Sequence, residues 1–456
     1  MNKKSIKRLF SMGLLFFSKT GNVLVGIFFL PLYNRLLGAE QFGLVAIILS
    51  FQAFLMMLDF GMSTIVNRDI AASEVTTREA LSTIDAAETL LSILYFCLLL
   101  LVLIVFIISP REVIDLIDAL GVVCLFLSLV LINVSQSALL GCQSYYLASV
   151  IQITGVLFRA SITLLFLFFL NSDIKVFIFS QLSVSIVHLI FVRYFCRAKI
   201  MQRQFSLSDF FPRVNLADVV KLAKRGKPLL FFGIAGASVT QLDKPIISHF
   251  MSPSDVVPYF LAGSLCMAPI SVLAGPVSQY FQPIVINRFS LLDQDKVIKT
   301  VRMFTLFLIS ATFIPTLFLF IFREEIINLW LGRGNSSIAM VISYTSVLLP
   351  GVAIGALGYI PNTLLITAQD FKFQAKLSSI LTIITLLCVL FFSINNNIMY
   401  VCFSYASYYL LSTTIAWIRA LNISQIRMCA IESSKVSLAL TLFFIFFLLA
   451  STLLIR

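Results

Sequence analysis

Apolar runs of about 17 to 25 residues, the length that crosses a bilayer as a helix, recur from one end of the chain to the other with short polar breaks between them. They lie near 9–33, 41–66, 86–108, 113–140, 147–170, 174–194, 229–250, 257–286, 303–322, 338–368, 377–393, 398–418 and 437–455, and predict thirteen spans. One polar break is longer than the others: residues 195–228 contain "CRAKIMQRQFSLSDFFPRVNLADVVKLAKRGK", a basic cytoplasmic linker that ends in an amphipathic helix. The pattern predicts an all-α polytopic membrane protein with a six-helix bundle over 1–194, the linker 195–228, a second six-helix bundle over 229–418, and a cytoplasmic loop plus one additional hydrophobic helix over 419–456.

Within the spans, polar residues fall at helical spacing, so that each set occupies one face. Lys19, Asn22 and Gly26 share a face of the first span; Gln52, Asp59, Ser63 and Asn67 share one of the second. The fifth has Gln152, Gly155, Arg159 and Thr163, the sixth Gln181, Ser185 and His188, and the seventh Gly233, Gly236, Thr240 and Asp243. Small and hydroxyl residues in such rows ordinarily let membrane helices approach closely. The charges need a further reason.

Arg159 lies about twelve residues into its span, about 18 Å deep at ~1.5 Å per residue, too deep for its side chain to reach either surface. Lys19 is at similar depth, Asp59 nearer the cytoplasmic end, and Asp243 and Lys244 nearer the outer end. Unpaired in lipid, the five would cost about 12 to 17 kcal/mol together on insertion scales. They therefore face an aqueous cavity, which makes Lys19, Asn22, Asp59, Arg159, Asp243 and Lys244 candidate substrate contacts, or they form buried pairs such as Asp59 with Lys19 or Asp243 with Arg159. Asp243 and Lys244 point about 100° apart on an ideal helix and are not expected to face one cavity together. Asp85 and Glu88, at the cytoplasmic mouth of the third span, are expected to be solvated.

Composition agrees with the class: 59% of residues are hydrophobic and 12% charged, about half the charge of a soluble domain. The start "MNKKSIKR" and the run after it resemble a signal peptide, but the run is too long and too many follow, so it is a retained first span. With the N-terminus inside, basic residues crowd the inner segments, whereas the outer ones hold only Arg35, Arg111, Lys175, Arg323, Arg333 and Arg456. The net charge of +12 is then topogenic and calls for anionic lipid, not nucleic acid. The eight cysteines show no CxxC or metal spacing and are expected to be free thiols, and no metal, cofactor or enzyme motif is present.

The halves also resemble each other: "FFLPLYNRLLGAEQFG" (28–43) superimposes on "LDKPIISHFMSPSDVV" (242–257), pairing Pro31 with Pro245, Leu32 with Ile246 and Leu37 with Met251. Six spans per half leave both halves in the same orientation, the plan of parallel repeats related by a pseudo-twofold along the membrane normal with the substrate site between them. Cationic groups at mid-depth suit an anionic substrate such as a pyrophosphate. Tyr405, Tyr408 and Tyr409 in "YASYYL" offer rings that could stack sugars, although packing or a membrane interface is the commoner use.

The segment "PLYNRLLGAEQFGLVAIILSFQAFLMMLDFGMSTIVNRDIA" (31–71), with its LG-x-E-x-FG turn, "LDFGM" and closing "NRDIA", resembles the N-terminal signature of Wzx-type O-antigen and polysaccharide flippases. These form the polysaccharide-transporter branch of the multidrug/oligosaccharidyl-lipid/polysaccharide exporter superfamily, and the likeness recurs in "TQLDKPIIS" (240–248). The resemblance implies a cavity lined by the first, second, seventh and eighth spans that moves an undecaprenyl-pyrophosphate-linked oligosaccharide across a bacterial inner membrane by alternating access. It implies no cofactor, with H+ or Na+ as the open choices of coupling ion. Membrane lipids, an O-antigen polymerase and a chain-length regulator are the partners it suggests. Lys19, Asp59, Asp243 and Lys244 sit on those spans and Arg159 does not, so Arg159 either reaches the cavity from behind or braces the bundle. The thirteenth run departs from a twelve-span pattern.

Three other functions compete. A drug or cation antiporter of the same superfamily would carry dominant carboxylates in its cavity, against which Lys19 and Arg159 argue. An O-antigen polymerase or ligase would have a large outer loop, and the longest here, about 323–337, is short. A membrane scaffold would have no use for buried charges.

Overall fold

The computed structural model describes residues 3–455 apart from 58, 60, 72–75, 109–114, 143, 202–209, 214, 291–293, 333–336 and 369. It gives 3–25, 57, 64, 68, 71, 226–233, 235, 279, 283, 287, 290, 294, 371 and 447–455 as backbone alone. The described residues form helices and no strand, in two compact units, Met1–Ala237 and Ser238–Arg456. Ten helices are long and apolar enough to cross a membrane among the described residues. Runs this long and apolar favour helix at membrane depth, where every peptide group finds its partner within its own segment.

The first unit comprises α1 (Lys3–Met57), α2 (Met62–Ala71), α3 (Thr77–Ile108), α4 (Leu116–Gly141), α5 (Tyr145–Phe169), α6 (Ile174–Met201) and most of α7 (Leu216–Gln241). α1 is two helices joined at a kink: Gly38 has φ 75° and ψ 169°, a conformation that only glycine adopts without strain. The two predicted runs 9–33 and 41–66 meet at this kink, in the LG-x-E turn. The second of them is not continuous, however, since α1 stops at Met57 and α2 starts at Met62. α4 packs along α6, α5 along both α1 and α6, and α4 receives α2 and α3.

In the second unit, α8 (Asp243–Phe250) leads to α9 (Pro253–Pro269), a π-helical turn at Ile270–Ala274 and α10 (Gly275–Ser290). Then come α11 (Gln294–Ile321), the short α12 (Arg323–Leu331), α13 (Ile338–Leu357), α14 (Tyr359–Thr367), α15 (Phe371–Ile394), α16 (Ile398–Asn422) and α17 (Arg427–Ile455). The hub is α13, which packs against α9, α16 and α17. The predicted extra hydrophobic run is therefore a helix, and it is built into the unit: Phe444 joins Ala353, Ile354 and Leu357 in a core that Phe313 and Ile309 cover.

The internal repeat has a structural echo. Ser252 occupies the place that the superposition gives to Gly38, and there too a helix ends and another begins. Ser252 Oγ accepts the Asp255 N–H while the Asp255 carboxylate accepts the Ser252 N–H, a capping box that starts α9. The same turn is thus made once by glycine geometry and once by side-chain capping.

α6 runs past its predicted end to Met201, which carries Arg197 as well as Arg193 into the fold of the first unit. The start of α7 is pinned to that unit as well. Ser82 donates to the Asp218 carboxylate at 2.8 Å, and Arg225 lies 2.8 Å from the Asp69 carboxylate.

Candidate functional site

Two of the candidate residues line a cavity of about 280 Å³ in the second unit, where α8, α9, α13 and α16 face one another. Asp243 is 1% exposed, and its Oδ2 accepts the Tyr259 O–H at 2.6 Å. The Lys244 ammonium lies 2.8 Å from Asp243 Oδ1 but off the direction of a hydrogen bond, so Oδ1 has a charge partner and no hydrogen-bond donor. Lys244 donates instead to the Thr240 carbonyl at 2.9 Å. The expectation that Asp243 and Lys244 cannot serve one cavity is thereby corrected. The chain bends at Leu242, immediately before α8, and the long lysine stem brings its charge back across the first helical turn.

Three tyrosines complete this site. Tyr259 stands on α9; Tyr405 and Tyr409 stand one turn apart on α16 and so share a face. Tyr405 donates its O–H to the Val239 carbonyl at 2.6 Å, which ties α16 to the end of α7. Tyr409 lies against Gly355 of α13, where a Cβ would come within 2.4 Å of its Cδ1, so only glycine leaves room for the ring. Packing was the commoner expectation for Tyr405 and Tyr409, and the structure turns both toward the cavity; Tyr408 lines a separate groove between α15 and α16. Tyr259 escaped the sequence reading entirely. The i, i+4 spacing of Tyr405 and Tyr409 was a signal that could have been followed.

The other candidates do not join them. Asp59 sits in the break between α1 and α2, 8% exposed, where Oδ1 accepts the Gly61 N–H at 2.9 Å and Oδ2 the Ser63 N–H at 3.1 Å. This is an Asx turn that satisfies free amides at a helix start, in place of the helical row expected for Gln52, Asp59, Ser63 and Asn67. Arg159 Nη1 donates to Ser185 Oγ at 3.4 Å, and no carboxylate lies within ion-pair distance of it among the described residues. The next residue's carbonyl, Ala160, accepts the O–H of Tyr33 from α1 at 2.9 Å. Lys19 and Asn22 lie outside the described residues as far as their side chains are concerned.

The polar rows of the fifth and sixth spans meet face to face. Thr163 pairs with Ser180 at 3.1 Å and Arg159 with Ser185, while the imidazole of His188 fills the space beside Gly155, where a Cβ would come within 2.2 Å of the ring. Arg159 thus ties α5 to α6, and the neighbouring Ala160 carbonyl ties α5 to α1.

Asp85 and Glu88 correct the expectation of solvated carboxylates, being 4% and 0% exposed. Arg193 pairs with Glu88, Arg197 bridges Asp85 and Glu88, and Asp85 Oδ2 also accepts the Arg213 N–H at 3.1 Å. Two acids and two arginines cancel, which is the condition under which buried charge is tolerated.

A sequence model described as "Polysaccharide biosynthesis protein" matches residues 32–340. Among curated proteins, none matches the chain in sequence. By structure the chain is similar to the lipid II flippase MurJ in its inward closed conformation, at a TM-score of 0.69 and 12% identity over 98% of this chain and 96% of that one. It is similar to an inward-facing multidrug resistance MATE family transporter of the MOP superfamily, at 0.65 and 14% identity over 92% and 95%. A MATE structure in the straight conformation gives 0.62 and 15% identity over 95% and 97%. The fold is that of these two-lobed helical transporters.

Proposed function

Because the chain belongs to the polysaccharide biosynthesis protein family, we propose that it is a flippase that carries an undecaprenyl-pyrophosphate-linked oligosaccharide, an O-antigen repeat unit, from the inner to the outer leaflet of a bacterial inner membrane. The observation that carries this reading is the conjunction of that family match with a multi-pass fold similar to a lipid flippase and to exporters. A family devoted to polysaccharide, in a fold that moves molecules across membranes, asks for a glycan that must cross one. Lys19, with Asn22 one turn further along the same face, is the proposed partner of the pyrophosphate. The Tyr33 hydroxyl ties the helix on which they stand to the Ala160 carbonyl of α5.

An antiporter for cationic drugs would need an uncompensated carboxylate in its cavity. Asp243 is compensated by Lys244, which weighs against that use. The test is reconstitution of the full chain in proteoliposomes with a fluorescent undecaprenyl-pyrophosphate-linked oligosaccharide, scored by its accessibility to an impermeant quencher. Protein-dependent exchange between leaflets is expected, with Lys19→Arg active and Lys19→Ala not. Transport of an organic cation without any movement of the glycolipid would replace the flippase by the antiporter.

A further inference from the structure

We propose that the cavity of the second unit is a carbohydrate subsite, which takes one or two neutral sugar rings of the glycan between the Tyr409 ring and the Lys244 ammonium. The proposal rests on the flippase reading and adds which part of the substrate this unit recognises. Its first support is charge. Of the residues lining the cavity only Asp243 and Lys244 are of acidic or basic type, and they are paired. An anion could enter only by taking Lys244 from Asp243, and a cation only by taking Asp243 from Lys244; either leaves a buried charge uncompensated. A neutral ligand does neither.

Its second support is the hydrogen-bond balance. Asp243 is closed off from a ligand, with Oδ2 held by Tyr259 and a buried Oδ1 2.8 Å from the Lys244 ammonium. Lys244 keeps some exposure, and of its three N–H bonds it spends one on the Thr240 carbonyl. The ammonium is therefore the charged group left to donate to the hydroxyl and ring oxygens of a pyranose. Ser264 and Gln241 add further hydroxyl and amide groups to the wall.

Shape supplies the third support. Tyr409 and Phe260 present rings to the cavity, and a sugar offers such rings its apolar C–H face while its edge stays polar. The volume of about 280 Å³ is at the lower limit of the ~300 to 1,000 Å³ of drug-sized sites, which suits a ring or two and excludes a whole repeat unit.

The test uses the full-length protein in detergent carrying Ser264→Cys, with the rate of maleimide labelling read at that peptide by mass spectrometry. The probes are free N-acetylglucosamine, galactose, mannose and rhamnose, inorganic pyrophosphate, and tetraphenylphosphonium. At least one sugar is expected to slow labelling saturably, whereas pyrophosphate and the phosphonium ion do not. Tyr409→Leu should weaken that protection by about fivefold to tenfold, the worth of one ring contact, and Lys244→Met should do so through the lost donor. Should Lys244→Met fail to fold, judged by elution and melting, Tyr409→Leu carries the test. Protection by pyrophosphate or the phosphonium ion equal to that by sugar, no protection by any of the four sugars, or protection untouched by Tyr409→Leu would each overturn the proposal. Leaflet exchange measured on the same variants separates the two readings: exchange without sugar protection removes the subsite and leaves the flippase, and sugar protection without exchange does the reverse.

Discussion

Asp59 and Glu88 show how far a single residue's meaning depends on partners that its own surroundings do not reveal. For Asp59 the partners are local amides, so its role follows from acceptor geometry, not charge. Asp59→Asn keeps one of the two acceptors and sets an NH2 donor against the other amide, so it should lose part of the stability that Asp59→Ala loses. Asp59→Ala should lose about 0.5–2 kcal/mol, as other helix-start caps do. A melting curve in detergent reads the difference, and an Asn variant as damaged as Ala would show that one acceptor alone contributes nothing. For Glu88 the partners are arginines 105 and 109 residues away in sequence, and no periodicity within α3 could announce them. Glu88→Ala should destabilise the protein by about 3–5 kcal/mol by stranding buried guanidinium charge. The double variant Glu88→Met with Arg193→Met should recover part of that loss. If the double is worse than the single, Arg197 alone is the partner that counts.

At the scale of helices, the rows of polar and small residues were legible in the sequence, and their partners were not. Gly155, Arg159 and Thr163 mark one face of α5; Ser185 and His188 of the row Gln181, Ser185 and His188 meet it, and Thr163 bonds Ser180, which that row does not contain. The spacing gives a face; only three-dimensional packing says that two faces meet, which is why Arg159 reads from the sequence as a cavity residue. The contact predicts its own test. Gly155→Ala drives a methyl group into the His188 ring and should cost about 1–3 kcal/mol by overpacking, and His188→Ala in the same chain should restore most of it. Absence of rescue, measured by thermal melting of the single and double variants, would mean that the helices do not pack through this pair. The breaks in the helices divide in the same way. Gly38 was visible as a turn because its motif is explicit, whereas the interruption at Asp59 fell inside an unbroken apolar run.

At the scale of the whole chain, the all-helical class and the run of spans could be read directly, because repeated apolar runs of bilayer length fit little besides membrane helices. The place of the last helix could not, since hydropathy counts a span without saying what it touches. α17 contributes Phe443 and Phe444 against Phe313, with ring centroids 5.4 and 6.1 Å apart. Between membrane helices such contact acts through close packing, lipid being as apolar as the core. Phe444→Ala should still cost about 2 kcal/mol, from the cavity term of ~24 cal/mol per Å³, and deletion of 427–456 should abolish folded protein in detergent. A deletion variant that melts like the full chain would make α17 an accessory.

The basic residues and the sequence repeat together make a prediction of sidedness. Arg and Lys crowd the segments read as internal, which predicts an outer position for the turns at Gly38 and Ser252. These turns occupy equivalent places in the two halves, and parallel repeats require equivalent places to open to one side of the membrane. Ala39→Cys, an exposed position beside the first turn, and Ser254→Cys beside the second are therefore both expected to react with an impermeant maleimide in intact spheroplasts. A cysteine placed at Lys224, exposed on α7, should react only after lysis. Reaction at one of the two outer positions and not the other would refute the parallel repeat while leaving the rule of basic residues intact for the half that obeys it. Protection at both, with reaction at Lys224→Cys, would invert the whole chain and place Lys19, the proposed pyrophosphate partner, on a span that enters from the opposite leaflet.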